Sequence, residues 1–290
     1  MRLNWFKTLI REIMVENILT ISDDESARVA ARKMEEYHVG SLLVRKEGET
    51  IGILTEADIV YSLIPQGLSP DDTMTSTIMS GLPITIRTYS TIEEAYLSMA
   101  RNRIRHLVAV AEKNEAEDVE VGIISVRDIL YPREEIEEKE KEGKRELRSW
   151  VGFLPWSRRD RVEKIMTRKP VMVENNENIR IASTLMRDQR ISSLLVKEKD
   201  RVKGVLSETD IVRKVIAKNL EPEKIKASEV MTSPPITINS SDPIDKAYFL
   251  MANKQVRHLV VNDGRRELSI VSARDLLCLT AKKAKRVWRR

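Results

Sequence analysis

The strongest constraint on this chain is that it repeats itself four times. Glu12-Ile13-Met14, Thr77-Ile78-Met79, Lys164-Ile165-Met166 and Glu229-Val230-Met231 open four stretches with one layout. A leucine follows each methionine 28 residues on (Leu42, Leu107, Leu194, Leu259). An aspartate closes each stretch: Asp58, Asp210 and Asp275 lie 44 residues after their methionines and Asp128 lies 49 after its own. The five extra residues fall in the polar run Ala111–Asp118, which reads as an insertion confined to a loop tip. Repeats of this size cannot bury an apolar face alone, so stacking between them has to supply the core.

The repeats also alternate. The first and third carry Val39-Gly40-Ser41-Leu42-Leu43-Val44 and Ile191-Ser192-Ser193-Leu194-Leu195-Val196. The second and fourth carry Arg105-His106-Leu107-Val108 and Arg257-His258-Leu259-Val260, and both place an Ala-Tyr helix before it (Ala95-Tyr96, Ala247-Tyr248). Met14 to Met79 and Met166 to Met231 are each 65 residues, so in sequence a pair of repeats is itself duplicated. The expected organisation is a first module over 1–131 (repeats about 10–64 and 75–131), a linker over 132–161, and a second module over 162–290 (repeats about 162–217 and 226–280) ending in a basic tail.

Within a repeat, a short extended piece such as Pro83-Ile84-Thr85-Ile86 leads to a polar stop. Ser90, or Ser240-Ser241-Asp242-Pro243, is placed to cap a helix. Ala27, Ala30, Ala31 and Met34 recur at helical spacing in the first copy. Two runs of leucine, isoleucine and valine follow, joined by a polar turn such as Lys46-Glu47-Gly48-Glu49, and Asp58-Ile59-Val60 starts a second helix. The order is strand, helix, strand, strand, helix, an α/β (α+β) fold.

Composition excludes several classes. The single Cys278 and three histidines (His38, His106, His258) leave no disulfide framework and little for a histidine-based metal site. No apolar run approaches the ~18 residues of a membrane span, and the opening residues show no signal-peptide cleavage pattern, so a soluble, cytoplasmic protein is the default expectation. The net charge of +5 is accounted for by the tail Ala281–Arg290, which is read as a solvated helix end in preference to a grip on nucleic acid or acidic lipid. All four tryptophans (Trp5, Trp150, Trp156, Trp288) lie outside the repeats and are read as docking residues of termini and linker.

Chemistry concentrates where each repeat ends: Gly52-x-x-Thr55-x-x-Asp58, Gly122-x-x-Ser125-x-x-Asp128, Gly204-x-x-Ser207-x-x-Asp210 and Ser269-x-x-Ser272-x-x-Asp275. A hydroxyl three residues before an acid at a helix start is a capping pattern. Four copies in one register also suit a ligand, because a strand-to-helix turn presents backbone N–H groups to phosphate. The hydroxyl can donate to a phosphate oxygen. The aspartate can accept from both hydroxyls of a ribose, with charge-assisted bonds of roughly 1.5–3 kcal/mol each. The glycine lets another group approach the backbone.

With these terminal motifs, the Ile-Met-Thr openings and the Arg-His-Leu-Val strands, the chain resembles the CBS-domain family, named for cystathionine beta-synthase, over about 220 residues. The resemblance implies two tandem Bateman modules, as in stand-alone archaeal proteins and the gamma subunit of AMP-activated kinase, which often form a flat disc. It implies AMP, ADP, ATP or S-adenosylmethionine as regulatory ligand in clefts between paired repeats, with no cofactor required. Carried over by position, it assigns Asp58, Asp128, Asp210 and Asp275 to ribose, and Thr55, Ser125, Ser207 and Ser272 to phosphate or ribose. Thr20, Thr85 and Thr237 match the base-pocket position, where the third repeat has Met172. Arg105-His106 and Arg257-His258 match the basic pair at phosphate, where repeats one and three have Ser41 and Ser193. Ser269 stands where the family has glycine and narrows that pocket.

The expected function is therefore a regulatory, energy-sensing module without enzyme activity, signalling to an unidentified protein partner by a conformational shift. Whether two chains pair is open. The competing expectation is a scaffold with empty clefts whose tail binds nucleic acid or a protein.

Overall fold

A computed structural model describes residues 7–114, 117–130, 160–264 and 268–276. The linker stretch 132–159, the four tryptophans, Cys278 and the tail 281–290 lie outside them. Each repeat folds as expected, with a short strand, a helix, and a hairpin closing into a second helix. Repeat one contributes β1 (Thr20–Ser22), β2 (Ser41–Lys46) and β3 (Glu49–Thr55); repeat two β4 (Thr85–Arg87), β5 (His106–Asn114) and β6 (Glu117–Ser125). After β7 (Thr167–Arg168), repeat three has β8 (Met172–Glu174), β9 (Ser193–Glu198) and β10 (Arg201–Ser207). Repeat four has β11 (Thr237–Asn239), β12 (His258–Asn262) and β13 (Leu268–Ser272). In every sheet the first strand runs parallel to the second, and the hairpin is antiparallel.

Local chemistry explains the elements. Ser26 caps helix Ala27–Glu36 by accepting from the Val29 amide, and the Ala27, Ala30, Ala31 and Met34 stripe is fully buried. Glu47 and Gly48 both have positive φ (52° and 92°), the backbone hand that lets a two-residue turn follow strand twist. Two expectations are corrected. The cap of helix Ile92–Asn102 is Thr91, not Ser90, because Thr91 and Glu94 form a reciprocal box; helix Ile244–Lys254 starts after Pro243, with no side-chain cap. The insertion at Ala111–Asp118 is not confined to a loop tip. It lengthens the β5–β6 ladder, which pairs Glu112 with Asp118 and Asn114 with Glu117, since paired backbone amides cost less than bare ones.

The chain divides into two compact units. One holds repeats two and four (Ile84–Lys169 and Ile236–Arg290) with the opener of repeat one (Met1–Ile18); the other holds repeats one and three (Leu19–Pro83 and Pro170–Pro235). Like packs with like, following the alternation of the sequence. In the first unit Tyr96, Met99, Leu107, Tyr248, Met251 and Leu259 share one buried core. In the second, Met34, Leu42, Leu54, Met186, Leu194 and Leu206 do so. Buried Arg28 joins repeats one and three there: its guanidinium forks onto both Asp71 oxygens (2.6 and 2.8 Å) and donates to the Ile216 carbonyl (2.6 Å).

The openers do not fold onto the repeats they introduce. Val15 bridges Ile123 of repeat two, Ser80 bridges Ile53 of repeat one, Thr232 bridges Val205 of repeat three, and β7 pairs with β13 of repeat four. In repeats one to three, glycine is what permits this. A Cβ at Gly52 would lie 2.5 Å from Met79 Sδ and from the Ser80 carbonyl; at Gly204, 2.6 Å from Met231 Sδ and the Thr232 carbonyl; at Gly122, 2.7 Å from Met14 Sδ. Each of these glycines follows a register shift in its hairpin. Ser269 stands in an unshifted ladder, with Leu268 directly opposite Asn262. The group that approaches the backbone is thus a methionine of the chain itself.

Gly204→Ala is expected to destabilise the protein by about 1–3 kcal/mol through overpacking against Met231. Gly81→Ala, where nothing lies within 4 Å, is expected to stay within about 0.5 kcal/mol in the same denaturant titration.

Candidate functional site

The end of each hairpin is built the same way. The closing hydroxyl pairs across the ladder with the first residue of the preceding strand: Thr55 with Ser41, Ser125 with His106, Ser207 with Ser193, Ser272 with His258. The first helical amide then donates to the residue just before that strand, from Glu56, Val126, Glu208 and Ala273 to the carbonyls of Gly40, Arg105, Ser192 and Arg257. This clamp holds the aspartate one turn further on. Thr20, Thr85 and Thr237 open the parallel strands opposite Leu43, Val108 and Val260, two residues along from Ser41, His106 and His258, and Met172 takes the same place opposite Leu195. In each repeat the structure therefore brings the singled-out residues to one end of one sheet. Arg105, His106, Arg257 and His258 are half-buried there.

The hydroxyl and the aspartate face each other. Asp58 Oδ2 accepts from the Thr55 amide (2.7 Å) and hydroxyl (2.6 Å). Asp128 repeats this with Ser125 (2.8 and 2.6 Å) and Asp275 with Ser272 (2.8 and 2.6 Å). Asp210 Oδ2 takes the Ser207 amide (2.9 Å) and hydroxyl. The capping reading is thus realised in all four copies, on one carboxylate oxygen. The other oxygen distinguishes the repeats. Asp58 Oδ1 accepts from Ser80 (2.9 Å), whereas Asp210 Oδ1 accepts from Thr232 (3.3 Å) and pairs with Lys214 (2.7 Å). Ser80 and Thr232 belong to the openers of the following repeats, a contribution that motif spacing does not reveal.

Burial pushes the Asp58 carboxyl above the ordinary aspartate value of 3.8; bonds from Thr55 and Ser80 oppose the rise and the Glu208 charge adds to it. Asp275 is raised by burial as well, against bonds from Ser272 and the charge of Arg274.

Sequence reading missed a buried polar junction between repeats one and three. Glu56 and Glu208, the residues just after the closing hydroxyls, are 2% and 0% exposed. Tyr61 donates to Glu208 Oε1 (2.6 Å) and to the Ile191 carbonyl (3.0 Å). Thr209 donates to Glu56 Oε2 (2.8 Å), and Arg213 lies 3.7 Å from Glu56 Oε1 and donates to the Val39 carbonyl (3.3 Å). Tyr61 and Arg213 are equivalent residues 152 apart, so the contacts are reciprocal. The available signal was a glutamate at this position in repeats one and three alone; repeats two and four bury Val126 and Ala273 instead. Among the described residues no cluster of histidine, cysteine, aspartate and glutamate is suited to a metal ion, and no helix is long and apolar enough to cross a membrane.

The family model of the CBS domain matches residues 10–64, 76–133, 162–217 and 227–281. The CBS domain-containing protein CBSCBSPB2 of Arabidopsis thaliana is 28% identical over 88% of this chain and 50% of its own length. CBSCBSPB3 of the same plant is 26% identical over 93% of this chain and 51% of its own. The chain thus spans about half the length of these curated relatives. Among solved structures, protein MJ1225 of Methanocaldococcus jannaschii, described as a proposed archaeal homolog of g-AMPK, superposes with TM-score 0.70 at 19% identity. It covers 93% of this chain and 99% of that one, and at this identity the likeness is one of fold.

Two outcomes are expected. Tyr61→Phe removes a donor from a buried carboxylate and should cost about 1–3 kcal/mol in chemical denaturation. Folded Asp58 holds its proton to higher pH than the unfolded chain, so the stability it contributes is present below 3.8 and lost as pH rises through its folded value. The melting temperature of the wild type relative to Asp58→Asn should therefore rise as pH is lowered towards 3.8.

Proposed function

The chain belongs to the CBS domain family, and on that premise we propose that it is a regulatory module that senses an adenosine compound: AMP, ADP, ATP or S-adenosylmethionine. The observation that carries this reading is the fourfold recurrence of one arrangement, a capped aspartate beside a hydroxyl at the end of a hairpin. In this reading Asp58, Asp128 and Asp275 accept from ribose hydroxyls, each already oriented by its Thr55, Ser125 or Ser272 partner. Arg105-His106 and Arg257-His258 give repeats two and four cationic and donor groups for phosphate at the strand start, where repeats one and three offer Ser41 and Ser193. Thr20, Thr85 and Thr237 stand by the base. The family, and the g-AMPK likeness attributed to the Methanocaldococcus jannaschii neighbour, support it.

The chain's own part is binding and signalling rather than chemistry. A ligand bonded to one of these aspartates favours whichever packing of the repeats presents it, and that population shift is what a protein partner reads. In the unit of repeats one and three, the reciprocal bonds of Tyr61 and Thr209 tie the turn carrying Asp58 to the turn carrying Asp210, so a shift at one is felt at the other.

Titration calorimetry with AMP, ADP, ATP and S-adenosylmethionine tests the reading. Saturable heat is expected for at least one ligand, with each aspartate-to-alanine variant removing the contribution of its own repeat wherever that repeat is filled. Melting shifts give a parallel readout, about 2.7 kcal/mol per site at 100 times the dissociation constant. Folded protein that binds none of the four ligands would overturn it.

A further inference from the structure

A carboxylate offers about four acceptor positions, and a ribose diol needs some of them vacant. Asp210 has none left: Oδ2 takes the Ser207 amide and hydroxyl, and Oδ1 takes the Thr232 hydroxyl and the Lys214 ammonium. Lys214 is itself anchored by a second bond, to the Val230 carbonyl at 2.7 Å. Asp58 has three of four filled, the last by the neutral Ser80 hydroxyl, and among the described residues Asp275 carries bonds only from Ser272. The residue four after the aspartate is Ser62, Pro132, Lys214 and Leu279 in the four repeats, so repeat three alone places a cation there.

We infer that Lys214 is a specificity-determining residue that closes the third repeat to ribose, leaving the chain with unequal sites. The inference rests on the adenosine-binding reading and goes beyond it by naming which repeat stays empty and why. An incoming hydroxyl has to displace from Asp210 an ammonium that pairs charge to charge with it, whereas the competing group on Asp58 is the Ser80 hydroxyl, which brings no charge of its own. The lysine side chain is about half exposed, so its replacement removes the charge without opening a core.

The test is the ATP and AMP stoichiometry of folded wild type, Lys214→Met, Lys214→Met with Asp210→Ala, and Ser62→Lys, each checked by circular dichroism. Lys214→Met should gain one site, or at least tenfold in affinity at one site, and the added Asp210→Ala should abolish the gain. Ser62→Lys, which installs the lysine beside Asp58, should lose one site. Wild-type binding with stoichiometry unaltered by Lys214→Met and Ser62→Lys overturns the inference while leaving the adenosine reading intact. Weaker binding in Lys214→Met overturns it too, since the lysine would then be a ligand contact. Absence of binding in every variant overturns both.

Discussion

Three of the four repeats depend on a contact too close for a side chain. The edge of each hairpin is covered by a segment that introduces a different repeat, and in three of four cases a methionine sulfur presses where a Cβ would stand. That contact aligns the opener, and the opener delivers Ser80 or Thr232 to the aspartate at the hairpin end. A glycine in the middle of a strand usually weakens it through lost packing and added freedom. Here the weakness is offset by the edge that the opener covers, beside a register shift in the hairpin. The fourth repeat has neither the glycine nor the register shift, and its edge is covered by a paired two-residue strand instead.

The hydroxyl–aspartate pair serves two ends with different atoms. One oxygen of the carboxylate closes the capping box, which fixes the side-chain rotamer. The second oxygen is where the four repeats diverge, through Ser80 in the first and Thr232 with Lys214 in the third. A common scaffold with one variable lone-pair environment thus makes the aspartates of a repeated sequence unequal.

Much of the fold was legible because its determinants are local. The Ala27–Met34 stripe, the Glu47-Gly48 turn and the closing Thr55/Asp58 box each involve residues a few positions apart. The placement of the residues at one sheet end followed from the repeat register alone. What escaped was long-range. The pressure of Met79 on Gly52 and the bond from Tyr61 to Glu208 span 27 and 147 residues, and no periodicity encodes which repeat an opener will cover. Thr91 displaced Ser90 as cap because Glu94 lies in reach of Thr91, a choice between neighbouring hydroxyls that composition leaves open. Buried Arg28 looks like any surface arginine of a helix until Asp71 and the Ile216 carbonyl are placed around it.

The junction of repeats one and three carries a consequence for how the chain arose. Tyr61 and Arg213 occupy equivalent positions, yet each serves the glutamate of the other repeat. Two first halves brought together in this way would set two buried glutamates against two tyrosines and no guanidinium; two second halves would bring two guanidiniums and no phenol. After the duplication, the halves therefore became complementary rather than interchangeable. Their covalent fusion in one polypeptide secures a heterotypic pairing that separate copies would have to find by encounter.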